Sequence, residues 1–190
     1  KISNALLTYL ENQGEDLSPI LEVTSLPEEF LRDPSYWMQA TEMESLLAHG
    51  LSLVQKDSNQ NIIQKMGHSG PELRAWGVLD SVLRMMPRPH DILNQPERFL
   101  AYFVSPTPPT DHLRRGESSI EFDVAVSADQ YPLVSCYLAA GLESLPLYAG
   151  QSAATCDWKG IHVNLSWQQE QKSLFGETET GRQISPDLIR

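Results

Sequence analysis

Basic residues are scarce in this chain: Lys and Arg number 14 against 25 Asp and Glu, a net charge of −11 at pH 7 over 190 residues. A molecule with that field repels phosphate backbones, which removes nucleic acid from its expected partners. Cysteine is scarcer still. Cys136 and Cys156 are the only two and show no CxxC or Cys/His ligand spacing. They are expected as buried thiols in a reducing cytosol, neither a disulfide framework nor a zinc site. No apolar run approaches the ~20 residues that a membrane span needs, and no basic, apolar and small-residue regions in series mark a secretory signal. Cytoplasmic placement is the resulting expectation. GxGxxG, Walker A, HExxH, EF-hand and haem-attaching CxxCH motifs are all missing, so no catalytic residue and no metal ligand is assigned, and the chain reads as a non-enzyme. It begins at Lys1 without an initiator Met, as a piece of something longer would.

What is present is a core of ordinary weight, 41% hydrophobic with 21% charged residues. The first half carries helical periodicity. Ile2, Leu6, Leu7 and Leu10 share a face ahead of Gly14, predicting a helix over 2–13. Ser25-Leu26-Pro27 can open a short helix carrying Phe30 and Leu31. Thr41 with Glu44 reads as a capping box for a helix over 41–56, and 59–66 as another short helix with Gly67 as its left-handed stop. Residues 72–86, with Leu73, Trp76, Leu79 and Leu83, are apolar over more than half the circumference, predicting one central buried helix. A further helical stretch over 90–104 is interrupted at Pro96, and Ser105-Pro106-Thr107-Pro108-Pro109 then forces an extended connection.

Beyond the prolines the period changes to two. Ile120, Phe122, Val124 and Val126 alternate with polar or small residues, and Arg115-Gly116-Glu117 can turn this strand back on one near 110–114. Pro132 opens a helix over 130–145. Residues 153–158 and 161–167 make a second hairpin, with Ile161, Val163, Leu165 and Trp167 on one face. The expected class is α+β: a helical N-terminal layer packed on a four-stranded antiparallel sheet, ββαββ in the C-terminal half. Residues 169–184 read as a polar linker, and Ser185-Pro186-Asp187 as the N-cap of a helix that begins as the sequence stops.

Few residues invite chemistry. Gly67-His68-Ser69-Gly70 resembles a nucleophile elbow, but Pro71 stands where that motif needs Gly and a helix precedes it, so a helix-ending loop is expected. His112, Arg114 and Arg115 form a small basic patch, a carboxylate contact or a solvated strand end. The five histidines, His49, His68, His90, His112 and His162, lack pair spacing. Met38, Met43, Met66, Met85 and Met86 with Trp37 and Trp76 either line an adaptable pocket or fill plain core.

Two resemblances bear on function. Helices, then Thr107-Pro108-Pro109, then strand, strand, helix, strand, strand resembles the heme-nitric-oxide/oxygen-binding (H-NOX) fold over about residues 41–167. Lys65-Met66-Gly67, Ser119-Ile120-Glu121-Phe122, Tyr131–Leu145 and the final hairpin carry the likeness. In that family a proximal histidine precedes the Thr-Pro-Pro turn; its place falls near Pro96 here. The family's Tyr-x-Ser-x-Arg motif, which pairs with heme propionates, falls at Val124, Val126 and Ala128. The expectation is therefore no cofactor, with His90, the one nearby imidazole, as the sole candidate heme ligand. Residues 75–87 and 95–103 also resemble N-terminal sensor-like regions of two-component histidine kinases. That implies a sensor domain over 1–168, the 169–184 linker, and a helix from 185–190 leading into a downstream kinase module, with a homodimer formed through that helix. A small-molecule or tetrapyrrole-binding module, with a pocket between helices and sheet, is the other reading.

Overall fold

The computed structural model describes residues 1–54, 59–86, 93–105 and 108–168. The expected linker over 169–184, the expected output helix over 185–190 and His90 lie outside them.

The sheet forms where the period-two pattern put it. Strands β1 (Thr110–Arg115), β2 (Ser119–Val124), β3 (Thr155–Lys159) and β4 (His162–Ser166) make one antiparallel sheet in the order β1-β2-β4-β3. The two hairpins join through β2 and β4, with Ile120 opposite Leu165 and Phe122 opposite Val163. These four and Val124 are buried, while Glu121, Asp123, Asn164 and His162 face away from the core. Between Asp111 and Arg114 the β1 register slips, and His112 takes φ +50° there. Ile161 departs from expectation. It sits at 50% exposure in the two-residue turn Gly160-Ile161 between the paired Lys159 and His162, so the strand starts one residue later.

The helical layer contains α1 (Ile2–Asn12), α2 (Ser18–Thr24), α3 (Glu28–Arg32), α4 (Ala40–Leu53) and α5 (Asn59–His68). It continues with α6 (Gly70–Leu73), α7 (Val78–Met85) and α8 (Pro96–Leu100), while α9 (Pro132–Ser144) follows β2. Ile2, Leu6, Leu7 and Leu10 of α1 are buried as their spacing required. Four expectations need correction. The capping box of α4 is Gln39 with Glu42, two residues earlier than Thr41 with Glu44. Glu44 is instead drawn away to α9, where its two carboxylate oxygens accept the Leu133 and Val134 backbone N–H groups at 2.8 and 2.9 Å.

Gly67 lies inside α5 and does not stop it. A Cβ there would stand 2.5 Å from Ala140 Cβ and 2.9 Å from the Tyr137 carbonyl oxygen, so the glycine serves a close crossing of α5 over α9. The single helix expected over 72–86 is two, broken where Arg74 (φ +50°) and Gly77 (φ +68°) leave the right-handed region. Asp80 closes the break by accepting the Trp76 backbone N–H at 2.7 Å. Nor is α7 central, since Val78 and Met85 are 74% and 82% exposed.

The helix buried on most of its circumference is α9, with Val134, Ser135, Tyr137, Leu138, Ala140, Gly141, Leu142 and Ser144 inside. Its small residues let α5 and α4 approach on one side while β3 packs on the other. One hydrophobic cluster consequently runs from α1 through α9 to Val163 and Leu165.

Candidate ligand-binding cleft

After α3 the chain runs without regular structure to α4. Asp33 Oδ1 accepts the Ser35 N–H at 2.8 Å and its hydroxyl at 2.6 Å, a local turn that Pro34 reinforces. Three large side chains follow in succession, Tyr36, Trp37 and Met38, with no helical face to bury them. They become one wall of a cleft of about 410 Å³. The opposite wall is the turn after α8, which supplies Tyr102, Phe103, Val104 and Ser105; Val126, Val134 and Leu138 make the floor. Lys1 stands at the rim, its Nζ donating to the Pro34 carbonyl at 2.6 Å and lying 5.6 Å from the Tyr102 ring centre. Tyr36 is braced edge-on by Phe30 at 5.4 Å. Tyr36 and Met38 also border a second cleft of about 370 Å³ with Ser45 and His49, so this segment is a partition between two hollows.

The sulfur and indole side chains singled out in the sequence divide four ways. Met38, Met43 and Trp37 line the cleft, Met66 and Trp76 are core, and Met86 borders a small apolar groove while Met85 is exposed. Tyr36, Tyr102 and Phe103 were missed. The one signal available was three consecutive bulky residues just after the Asp33-Pro34 break.

Beside the cleft an aromatic network closes the interior. Trp76 is buried, donates its indole N–H to Tyr137 Oη at 2.7 Å, and meets Phe99 and Phe103 edge-on, each at 5.5 Å. Tyr148 donates to Asp80 Oδ1 at 2.8 Å. Burial pushes the Tyr137 and Tyr148 hydroxyls well above the usual tyrosine range, so both are neutral donors or acceptors.

The remaining titratable groups are structural partners. His68 Nε2 lies 2.6 Å from Glu143 Oε2, and Glu143 Oε1 accepts the Cys156 N–H at 2.9 Å, tying α5 to β3. Ser69 donates to the Lys65 carbonyl, which leaves no nucleophile elbow. Burial first, and the Glu143 charge second, push the Cys156 thiol up; burial does the same for Cys136. Neither is an activated nucleophile. His162 and His112 each place Nδ1 3.0 Å from one oxygen of Asp123, and those bonds hold its carboxyl below the usual range. Arg115 reaches Glu97 at 3.5 Å. Among the described residues no group of three His, Cys, Asp or Glu side chains could hold a metal ion.

No family profile and no curated protein matches the sequence. Solved structures do match the fold. A point mutant of the T. tengcongensis H-NOX domain aligns over 88% of this chain and 96% of its own, with TM-score 0.59 at 12% identity. An oxygen-binding H-NOX domain related to soluble guanylate cyclases, solved as its oxygen complex, aligns over 87% and 92% with TM-score 0.59 at 12% identity. A third H-NOX domain, studied for the mechanism of H-NOX activation, gives TM-score 0.60 at 10% identity over 88% and 95%. The chain therefore has an H-NOX-like α+β fold.

Two further matching structures concern heme, one its redox potential and one its distortion in the H-NOX family, which directs attention to the side chains at the corresponding positions here. Pro96, at the expected axial position, is the first residue of α8. Val124 is buried in the sheet, Val126 lines the cleft, and Ala128 is held by its backbone to the Gly160 carbonyl. Among the described residues that line the cleft there is no histidine, cysteine or arginine. At Pro96, Val124, Val126 and Ala128 the side chains carry no nitrogen, oxygen or sulfur that could ligate iron or pair with a propionate.

Proposed function

We propose that this chain is a non-catalytic sensor domain of a signal-transduction histidine kinase, built on the H-NOX fold and working without bound heme. The heme-free part is supported by the side chains at the positions corresponding to the heme contacts, since Pro96, Val124, Val126 and Ala128 offer neither an axial ligand nor a propionate donor, and the kinase context by the likeness of residues 75–87 and 95–103 to histidine-kinase sensor regions. Signal output runs, on this reading, through the 169–184 segment into a helix from 185–190, which pairs two copies and reaches the kinase module. On this reading the domain works in the cytoplasm beside its kinase module. The cleft lined by Trp37, Met38 and Met43 favours a second element of the reading, that the input is a small molecule.

Hemin reconstitution tests the heme-free part. The purified chain should give weak, non-stoichiometric absorbance. A sharp Soret band at one equivalent that vanishes in His90→Ala would overturn it and make His90 the axial ligand.

A further inference from the structure

We infer that the 410 Å³ cleft between the 34–43 segment and the 102–105 turn is a binding site for a small planar aromatic carboxylate, its ring against the aromatic walls and its anionic group on Lys1. This deepens the sensor reading above by naming the chemistry of the input.

Size comes first. The cleft falls in the lower part of the range of small-molecule sites, ~300–1,000 Å³, too small for a folded partner. Its walls come next. Tyr36, Trp37, Tyr102 and Phe103 present ring faces and edges, to which a flat aromatic ligand adds offset or edge-on contacts. Trp37 keeps 55% of its surface exposed, a large apolar area that the fold leaves uncovered. Met38 and Met43 supply the adjustable remainder.

Charge decides the class of ligand. The protein carries 25 acidic residues, yet among the described residues none of them lines this cleft, and Lys1 is the single charged side chain that does. Of the three N–H donors of its ammonium, one is engaged on the Pro34 carbonyl. The nearest carboxylate on the same stretch, Asp33, accepts the Ser35 N–H and hydroxyl and stays out of the lining, although its charge still acts on the Lys1 ammonium. An acid-free aromatic hollow with a cation at its rim, in a molecule of charge −11, discriminates for an anion locally against the field of the whole. The second and third hollows lack the combination, since Glu42 and His49 border the second cleft and the third holds only about 190 Å³.

The floor links occupancy to the fold. Val134 and Leu138 belong to α9, the helix between the two layers, and Tyr36 and Met38 are the partition to the second cleft. A ligand in place bears on both.

Calorimetric titration of the 190-residue chain with indole-3-acetate, 2-naphthoate and 4-hydroxybenzoate, and with indole-3-acetamide as the neutral twin, tests this. At least one acid should bind saturably at one site, and indole-3-acetamide about tenfold or more weaker than its acid, the scale of one charge-assisted hydrogen bond. Lys1→Gln should erase the acid–amide difference. Trp37→Ala, which removes a largely exposed ring, should leave the melting curve intact and weaken acid and amide alike. No saturable binding by any of the three acids overturns the inference, as does acid binding indifferent to both substitutions. A hemin Soret band displaced by a bound acid would instead sink the heme-free reading while leaving the cleft assignment standing.

Discussion

Trp76 occupies a turn, not a helix face, yet the interior holds it from several sides. Its backbone N–H is held by Asp80, its indole N–H by Tyr137, and its ring by Phe99 and Phe103. On its far edge Gly70 is required, because a Cβ there would stand 2.7 Å from the ring. Trp76→Ala should therefore cost ~3–5 kcal/mol, measured by denaturant unfolding. Trp76→Phe, which keeps a ring but strands the Tyr137 hydroxyl, should cost about 1–3 kcal/mol. A loss below about 1 kcal/mol for the alanine variant would mean that the interior collapses freely around the site. The burial of Trp76 was legible from its apolar neighbours in sequence. Its turn was not, because the break begins at Arg74, a residue with no local preference for a positive φ, and is stabilised by Asp80 from beyond it.

At the scale of elements, α9 shows what hydrophobic patterning reports and what it leaves out. Tyr137, Leu138 and Leu142 marked one apolar side, but the helix is buried on the other side too, through Ser135, Ala140, Gly141 and Ser144. Small residues do not register as a stripe, so the helix on which α5 and α4 rest looked one-sided. The strands were legible because period-two burial depends only on neighbours two residues apart. Thr41 with Glu44 had the right spacing for a capping box, yet the chain used Glu44 across space. Two backbone N–H groups at the start of α9 have no partner within their own helix, and the α4 carboxylate supplies both. Glu44→Ala should thus destabilise the domain by about 1–3 kcal/mol. Glu42→Ala, at the exposed local cap where the bond is 3.3 Å, should cost clearly less. Equal effects in parallel thermal melts would show that the long-range cap contributes nothing beyond a local one. The cleft was only half legible for a related reason. Trp37, Met38 and Met43 stood out by type, whereas Tyr102, Phe103 and Val126 reach it from distant segments that only the tertiary fold brings together.

Over the whole molecule the two layers share one interior. The buried cluster runs without interruption from Leu6 and Leu47 through Tyr137 to Phe122 and Leu165, and Glu143 joins α5 to β3 by hydrogen bonds on both sides. A sensor that passes a change from cleft to sheet needs this continuity, because a ligand can shift the sheet side only if both belong to one cooperative unit. The H-NOX-like fold, with α9 as both cleft floor and cover of β3, meets that requirement. The consequence is measurable. The four tryptophans are spread over both layers: Trp37 and Trp76 sit with the helices, Trp158 and Trp167 on or beside the sheet. Unfolding in urea followed by tryptophan fluorescence and by far-UV circular dichroism should give superimposable transitions with a single midpoint. Separate midpoints would divide the helical layer from the sheet into independent units. A signal received beside Trp37 would then stop at α9, and output from the C-terminal side would have to originate elsewhere.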